Sequence, residues 1–277
     1  MTYETLRHLL TPLYGEGEAK AIARMVYEVR FGLAFTDLCI GKDTQLSADD
    51  QAELEEIALR LERHEPVQYV LGKAEFMGNW YDVEPGVLVP RPETQELVRW
   101  IVLKDTTANI LDIGTGSGCI AITLAGMYPE AEVTAWDISE KALKVAQGNA
   151  KRFGVNVNFE QVDILANSQQ LMVNSFDVIV SNPPYICHKE RETMNQNVLD
   201  YEPHEALFVP DDDPLLFYRA IAEYGTKALK PEGWLYFEIN PLYAEPLCEL
   251  LSTMSYHDIE CKDDQYGKQR MIRAQKK

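Results

Sequence analysis

Residues 109–128 constrain the fold of this chain more than any other stretch. An apolar run of strand length at 109–113 leads into a glycine-rich turn at 114–118, and an apolar segment of helical length follows at 120–128. Glycines let a backbone approach a ligand closely, and the N-terminus of a helix presents unpaired N–H groups. A strand, a glycine turn and a helix in this order predict an α/β fold that binds a nucleotide-like cofactor at the turn.

The chain beyond residue 92 alternates between apolar runs of strand length and helical patterns, with no internal repeat. Such alternation predicts a sheet with helices between its strands, and runs this apolar predict parallel strands that are buried on both faces. Besides 109–113, we predict strands at residues 132–137, 157–162, 176–181, 234–239, 257–261 and 271–274.

The first 72 residues have a different pattern, with helical periodicity and few strand signals. Four leucines between residues 6 and 13 fall on one helical face, and Ser47 followed by Asp50 is typical of a helix N-terminus. Turn-forming Gly and Pro pairs then interrupt short aromatic runs, which predicts a β-hairpin. We therefore expect a helical domain at 1–72, a hairpin linker at 73–91 and an α/β domain at 92–277.

The charge of the chain bears on its partners. With 26 Lys and Arg against 44 Asp and Glu, the net charge is −18. A surface this acidic repels phosphate backbones, so we expect no direct nucleic-acid partner. An acidic balance also serves solubility alone.

Cysteines and apolar segments bear on the compartment. Five cysteines are scattered without a C-x-x-C pair, which favours reduced thiols over a disulfide framework or a thiolate metal site. The N-terminal pattern carries charged residues, and no apolar stretch approaches the length that spans a membrane. We therefore expect a cytoplasmic protein with no metal and no membrane partner.

The spacing of the glycines narrows the class of cofactor. A dinucleotide fingerprint has its third glycine three residues after the second, whereas here the interval is two residues. A purely structural tight turn is the alternative. The pattern resembles the first motif of class I methyltransferases, which implies that the loop holds the methionine end of S-adenosylmethionine. The loop residues are Gly114, Thr115, Gly116, Ser117 and Gly118.

Acidic side chains follow the next two predicted strands. Asp137 closes the first of them, where a carboxylate accepts hydrogen bonds from both hydroxyls of a ribose. Asp163 comes after the second, where it either meets the adenine amine or stands in a solvated turn. We expect Asp137 to bind the cofactor, and Asp163 to be a second candidate.

The strand predicted at 176–181 leads into Asn182-Pro183-Pro184-Tyr185, the most informative string of the chain. Two consecutive prolines lack N–H groups and fix φ, so the neighbouring carbonyls stay available as rigid acceptors. An ordinary loop opening is the alternative, because Asn-Pro and Pro-Pro are common breakers. The place of the string, two βα units beyond the glycine turn, favours a functional site.

This string suits the methylation of a planar nitrogen. The lone pair of an amide or aromatic amine is delocalised, so its nitrogen is a poor nucleophile. The Asn182 side-chain oxygen and the Pro183 carbonyl can hold both N–H bonds and aim the nitrogen at the methyl group, while Tyr185 packs on the planar face. Catalysis is then mostly positioning for in-line attack, with acceptors stabilising the positive charge that develops on nitrogen.

Over nearly its whole length the chain resembles the release factor glutamine methyltransferases. Besides the two motifs, the strings at 65–72 and 87–94 are similar to the interdomain signature of that family. Those at 201–207 and 264–270 resemble its F-E-P-x-x-A-L and D-x-x-G-x-x-R patterns. The resemblance implies a Rossmann-like class I methyltransferase domain with an antiparallel last strand, joined by a β-hairpin to a small N-terminal helical domain that binds the substrate.

The resemblance also implies a reaction and its residues. The reaction is transfer of a methyl group from S-adenosylmethionine to N5 of the glutamine in the Gly-Gly-Gln motif of peptide chain release factors. The implied catalytic residues are Asn182, Pro183 and Tyr185, with Pro184 beside them on the glutamine side chain. The implied cofactor residues are Gly114–Gly118, Asp137, Asp163, Ile164 and Asn182.

Three positions depart from the family pattern. Gln95 stands where an acidic residue is usual, Asn240 stands where a glycine is usual, and Ile164 stands where some members have an aromatic residue near the adenine. None of them lies in the Asn-Pro-Pro-Tyr string, so they bear on the detail of the site and leave the chemistry unchanged.

A few nearby residues allow more than one interpretation. Arg91 contacts either the cofactor carboxylate or the partner protein, or it is a solvated linker residue. Glu93 suits the N-terminus of the helix that follows it. His188 and His204 lack metal-ligand spacing and are expected at the surface. The stretch 186–214 is too long for a simple connection and is a candidate wall or lid of the substrate site.

Two other functions remain open at this point. An N6-adenine or guanine-amine nucleic-acid methyltransferase uses the same planar-nitrogen chemistry but needs a basic surface, which this sequence lacks. A non-catalytic adaptor on a methyltransferase fold is the alternative from another class. The intact glycine and Asn-Pro-Pro-Tyr motifs argue against that adaptor.

Overall fold

The structure is a computed structural model that describes residues 1–103, 105–166 and 173–277. The chain divides into two compact units by its internal contacts. The first unit contains Met1–Lys73 and Asn195–Tyr201, and the second contains Ala74–Met194 and Glu202–Lys277. The first unit is therefore assembled from two separate stretches of the chain.

The first unit is helical, as its sequence pattern predicts. The first helix begins after Thr2, whose hydroxyl accepts a hydrogen bond from the Thr5 amide, and it is interrupted at Gly15, where φ is 75°. Ser47 accepts a hydrogen bond from the Asp50 amide at 3.1 Å, which confirms the predicted helix N-terminus. The helices are α1 (Tyr3–Phe31), α2 (Phe35–Cys39), α3 (Ala48–Glu62) and α4 (Val67–Leu71), with a 3-10 helix at Lys42–Gln45.

The leucines of α1 are only partly buried. Leu6 and Leu10 belong to the core of the first unit, where they pack with residues of α3 and α4. Leu9 and Leu13 are exposed, so the predicted four-leucine face does not pack as a whole.

A seven-stranded sheet forms the centre of the second unit, accompanied by two short strand pairs. The strands are β1 (Lys73–Phe76), β2 (Asn79–Asp82), β3 (Asn109–Ile113), β4 (Glu132–Asp137), β5 (Asn158–Gln161), β6 (Phe176–Ser181), β7 (Ile186–Cys187), β8 (Phe208–Val209), β9 (Leu229–Glu238), β10 (Tyr256–Asp263) and β11 (Gln269–Lys276). The order in the large sheet is β10-β11-β9-β6-β3-β4-β5. Strands β5, β4, β3, β6 and β9 are parallel, and β11 is antiparallel to both of its neighbours, which confirms the expected antiparallel last strand.

Strand β9 is longer than predicted. It begins at Leu229 and not at residue 234, although Pro231 and Gly233 are typical of a break. The strand continues through this stretch because Glu232 adopts a positive φ of 64° and the pairing with β6 shifts register there. By contrast, β3, β4 and β6 have the predicted bounds.

Helices cover both faces of the large sheet. They are α5 (Pro92–Trp100), α6 (Cys119–Met127), α7 (Glu140–Phe153), α9 (Leu216–Ala228) and α10 (Ala244–Thr253), while α8 (Gln196–Tyr201) belongs to the first unit. Neighbouring residues of β6 enter different cores, Ile179 with α9 and α10, and Val180 with α5, α6 and α7. Burial on both faces explains why the strands are apolar throughout. In the described part of the chain, no helix has the length and apolar character needed to span a membrane.

The stretch between residues 186 and 214 consists of short elements. β7 and β8 pair in parallel, and 3-10 helices at His188–Thr193 and His204–Ala206 lie between them with α8. The Tyr201 hydroxyl of α8 donates a hydrogen bond to the Arg63 carbonyl at 2.8 Å, within the first unit. The stretch is therefore an ordered part of both units.

Candidate active site

A cavity in the second unit lies where the parallel strands β3, β4, β5 and β6 end. Residues 114–117, 137–139, 162–165 and 181–184 follow these strands in turn, and all of them line the cavity. Ligands of open α/β sheets bind at this edge because the loops after parallel strands converge there. The fold thus gathers in one place most of the residues that the sequence predicts for the site.

The glycine turn is shaped by its backbone. Gly114 and Gly116 have φ values of 76° and 57°, which favour glycine. The amides of Gly114 and Thr115 donate to the Trp136 carbonyl at 2.8 and 2.9 Å, and this holds the turn against the end of β4. At these two positions the turn therefore presents its backbone to the cavity with no side chain in the way.

Gly118 has a packing role that the sequence did not predict. It does not appear in the cavity lining, and its φ is 82°. A Cβ at this position would lie 2.7 Å from Ile122 Cδ1 and 3.0 Å from the Ala146 Cβ. In the described structure Gly118 thus allows the close packing of α6 and α7, and its contact with the cofactor stays a prediction.

Asp137 lies at the cavity with both carboxylate oxygens engaged. Oδ2 accepts a hydrogen bond from the Gly116 amide at 2.8 Å and Oδ1 accepts one from the Ser139 amide at 2.9 Å. Burial raises the pKa of this carboxyl, and the backbone hydrogen bonds oppose that shift. Each oxygen retains a second lone pair, so the side chain can still accept hydrogen bonds from a diol.

Asp163 and Ile164 also line the cavity. Asp163 Oδ1 accepts a hydrogen bond from the Leu165 amide at 2.9 Å, and the Ile164 side chain is buried. Asp163 is therefore held in an Asx-type turn at the cavity wall, and its contact with the adenine amine stays a prediction.

A buried carboxyl at Asp112 supports the turn from behind. Its Oδ2 accepts hydrogen bonds from the Thr115 hydroxyl at 2.6 Å and from the Ala121 amide at 3.2 Å. Its Oδ1 has no hydrogen-bond partner among the described residues. Burial raises the pKa of Asp112 to about 7, against the lowering effect of those hydrogen bonds.

The Asn-Pro-Pro-Tyr string lies partly in the cavity lining and partly outside it. Asn182, Pro183 and Pro184 line the cavity, whereas Tyr185 is absent from its lining. The Tyr185 hydroxyl donates to Glu238 Oε1 at 3.0 Å instead. A buried acceptor at the end of β9 thus holds the phenol, and the packing of Tyr185 on a substrate face stays a prediction.

Asn182 is tied to two residues to which the sequence analysis gave no role. Its Nδ2 donates to the Thr94 hydroxyl at 3.2 Å, and that hydroxyl donates to Glu238 Oε2 at 2.6 Å. Glu238 is 1% exposed, and burial raises its pKa while Thr94, Tyr185 and Arg270 oppose the shift. A charged residue at the end of an apolar strand was the only sequence signal for Glu238.

Asn240 anchors the segment that follows Tyr185. Its Nδ2 donates to the Tyr185 carbonyl at 3.1 Å and to the Glu190 carboxylate at 3.0 Å. Its Oδ1 accepts from the Leu242 amide at 3.1 Å. The departure from glycine at this position therefore adds side-chain links between the end of β9 and residues 185–190.

The residues with open interpretations are now placed. Arg91 lines the cavity and pairs at 2.5 Å with the buried Glu202, so it is not a solvated linker residue. Glu93 lies in the first turn of α5, but no side-chain hydrogen bond caps that helix. His188 and His204 are exposed and pack on Phe208. The described residues contain no cluster suited to a metal ion.

Comparison with known proteins places the chain in a family. Residues 5–72 match the family model described as PrmC N-terminal domain, and residues 104–238 match one described as methyltransferase domain. The release factor glutamine methyltransferase of Bacteroides thetaiotaomicron is 46% identical over 97% of both chains. Those of Flavobacterium psychrophilum and Streptococcus pneumoniae are 42% and 38% identical, over 96% and 94% of this chain and 94% and 93% of theirs.

The chain belongs to the release factor glutamine methyltransferase family. Membership makes it an S-adenosylmethionine-dependent methyltransferase, as the sequence predicts. A crystal structure of a methyltransferase from Pyrococcus furiosus is similar to this chain with a TM-score of 0.55 and 18% identity. That likeness covers 83% of this chain and 99% of the other, and it supports the fold alone.

The residues present in the cavity fit S-adenosylmethionine. The open backbone of the glycine turn suits the methionine end, because amides with positive-φ neighbours leave room for a ligand. Asp137 retains lone pairs for ribose hydroxyls, and Ile138 and Ile164 supply apolar surface for a flat ring. The fit therefore rests on donor and acceptor chemistry that the fold brings to one edge of the sheet.

Proposed function

We propose that this chain transfers a methyl group from S-adenosylmethionine to the side-chain amide nitrogen (N5) of the glutamine in the Gly-Gly-Gln motif of peptide chain release factors. One observation carries the proposal most directly. Asn182 and Pro183 lie side by side in the cavity lining, and the amide nitrogen of Asn182 is already bound by Thr94. Its amide oxygen accepts no hydrogen bond from the described residues and is available to a substrate.

Asn182 and Pro183 would orient the glutamine amide. Two acceptors, the Asn182 side-chain oxygen and the Pro183 carbonyl, match the two N–H bonds of a primary amide. Bound S-adenosylmethionine supplies an electrophilic methyl group on a sulfonium. Asn182 and Pro183 then hold the nitrogen in line with that methyl group and stabilise the charge that develops on nitrogen.

The cofactor residues follow from the same cavity. We assign the backbone of Gly114, Thr115, Gly116 and Ser117 to the methionine end and Asp137 to the ribose, with Asp163 and Ile164 at the adenine. Gly118 keeps α6 and α7 close and so shapes the turn. Arg91, held by its partner Glu202, forms a fixed edge of the cavity that is available to the substrate backbone or the cofactor carboxylate.

The two other candidate functions have weaker support. A nucleic-acid amine methyltransferase would have to bind phosphates on a chain whose net charge is −18. A non-catalytic adaptor would have no need of an Asn182 amide held by a buried hydrogen-bond chain. Both remain outcomes that the following experiment can detect.

The test is methyl transfer from labelled S-adenosylmethionine to a purified release factor, followed by mass mapping of the label. We expect one methyl group on the motif glutamine. The matched control is the same release factor with that glutamine replaced by alanine, which should take up no label. Label on nucleic acid, label elsewhere on the release factor, or no transfer would contradict the proposal.

A further inference from the structure

Thr94, Glu238 and Tyr185 form a hydrogen-bonded set behind Asn182. The Thr94 hydroxyl lies 2.6 Å from Glu238 Oε2, and the Tyr185 hydroxyl lies 3.0 Å from Glu238 Oε1. Asn182 Nδ2 lies 3.2 Å from the Thr94 oxygen. These residues come from α5, the end of β9 and the loop after β6, so the set exists only in the folded second unit.

The number of available protons fixes which group donates in each of these hydrogen bonds. When Glu238 is ionised, its carboxylate has no proton to give, so both the Thr94 and the Tyr185 hydroxyls must donate to it. Thr94 has one hydroxyl proton, and once this is committed its oxygen can only accept a further hydrogen bond. The group that faces it must be a donor, which for Asn182 is Nδ2.

The opposite orientation of the Asn182 amide is disfavoured. It would place Oδ1 against the Thr94 oxygen with no proton between them, and it would leave buried polar groups without a hydrogen bond. Thr94 is 2% exposed, so water cannot readily replace the lost donor. The carboxylate of Glu238 thus selects one of two amide orientations that differ only by exchange of oxygen and nitrogen.

We propose that Thr94 and Glu238 are positioning residues that fix the Asn182 amide with its oxygen available to the substrate nitrogen. This inference rests on the proposed function, in which that oxygen accepts an N–H bond of the glutamine amide. Neither residue contacts the reacting atoms in this role. Their contribution is to prevent the flipped amide, whose NH₂ group would face the substrate NH₂ group and repel it.

Opposing effects act on the ionisation of Glu238. Arg270 lowers the pKa of the Glu238 carboxyl, together with the Thr94 and Tyr185 hydrogen bonds, against the larger effect of burial. Arg270 is itself held by Asp264 at 3.5 Å. In this arrangement Tyr185 supports the carboxylate that orients Asn182.

The test compares two substitutions at Thr94 in single-turnover methyl transfer to a release factor. Thr94→Val keeps the shape but removes the hydroxyl, and we expect roughly a ten- to hundredfold loss of rate with an almost unchanged KM for the release factor. Thr94→Ser keeps the hydroxyl and should restore most of the rate. Thr123→Val is a matched control, because it removes a hydroxyl that bonds Tyr81 outside the cavity.

A double-mutant cycle then asks whether Thr94 acts through Asn182. If it does, adding Thr94→Val to Asn182→Ala should change the rate by less than about twofold, because the amide to be oriented is already gone. An equal loss in both backgrounds, or a wild-type rate in Thr94→Val, would overturn the proposal. Glu238→Gln, run through the same cycle, gives the answer if Thr94→Val does not fold.

The outcomes separate this inference from the proposed function. Wild-type enzyme that labels no glutamine would contradict the function itself. Wild-type enzyme that labels glutamine, with an insensitive Thr94→Val variant, would contradict only the positioning role. Affinity for S-adenosylhomocysteine should stay close to wild type in each variant, and a fall in that affinity matching the loss of rate would contradict the positioning role and indicate a merely structural one. The unfolding midpoint should fall in Thr94→Val, because Glu238 loses a buried hydrogen bond.

Discussion

In the proposed reaction, the side-chain amide of Asn182 orients the nitrogen that receives the methyl group. The nitrogen of this amide is bound by Thr94, which leaves the amide oxygen as the acceptor for the substrate. We expect Asn182→Ala to lower the rate at saturating substrate by at least about a hundredfold, because a misplacement of about an ångström is enough for such a loss. Single-turnover methyl transfer measures it, and a variant as fast as wild type would remove Asn182 from the site.

Asn182→Asp tests the same residue from the other side. An aspartate keeps the size and an acceptor oxygen but has no N–H to give to Thr94, and it adds a charge near the buried Glu238. We therefore expect Asp to be no better than Ala. Recovery of most of the rate by Asp would show that an acceptor alone suffices, and that the donor to Thr94 is not needed.

Asp137 offers a second test at a single residue. We expect Asp137→Ala to weaken the binding of S-adenosylhomocysteine by roughly 1.5–3 kcal/mol, as charge-assisted hydrogen bonds to the ribose are lost. Glu132→Ala is the matched control, since Glu132 begins the strand that Asp137 ends and is exposed. Calorimetric titration should find wild-type affinity for the control, and the same affinity for Asp137→Ala would exclude the ribose role.

Asp112 should leave a signature in the pH dependence of stability. Its pKa is about 7 in the folded chain against an ordinary value of 3.8, so the folded state favours the protonated form. The stability that this group contributes is full below about pH 4 and is lost as pH rises through about 7. Urea unfolding of wild type should thus lose more stability between those pH values than Asp112→Asn, and parallel curves would contradict the shift.

Among the elements, α6 depends on a glycine at its start. Gly118→Ala would force a side chain into φ of 82° and into contact with Ile122 and Ala146. We expect a loss of more than about 1 kcal/mol in the free energy of unfolding. Gly126→Ala, in the same helix with open space around it, should be neutral or stabilising by up to about 1 kcal/mol. Equal unfolding midpoints for the two variants would contradict the packing role.

Strands and turns could be predicted where the sequence signal lies within a few consecutive residues. Apolar runs bounded by turn residues predicted the bounds of β3, β4 and β6, and the glycine turn predicted the edge of the sheet at which the cavity lies. Glu238 could not be assigned from sequence, because its partners Thr94 and Tyr185 lie far away in the chain and meet it only through the sheet order. The hydrogen bond of Tyr185 could not be predicted for the same reason, since its acceptor Glu238 belongs to another strand.

For the molecule as a whole, the two units divide the expected tasks. The residues that line the cavity all belong to the second unit in the described chain. We therefore expect deletion of residues 1–72 to leave affinity for S-adenosylhomocysteine nearly intact and to reduce methyl transfer to an intact release factor. A truncated chain that methylates at the full rate would show that the first unit does not bind the substrate.

The return of Asn195–Tyr201 to the first unit has a consequence for synthesis. A ribosome makes a chain from its N-terminus, so residues 1–73 emerge while residues 195–201, which belong to the same unit, are still untranslated. The hydrogen bond from the Tyr201 hydroxyl to the Arg63 carbonyl can form only after much of the second unit has been made. Synthesis of the first unit is thus completed only after residues 74–194 of the second unit have been made. The nascent first unit cannot reach its final form before most of the second unit exists.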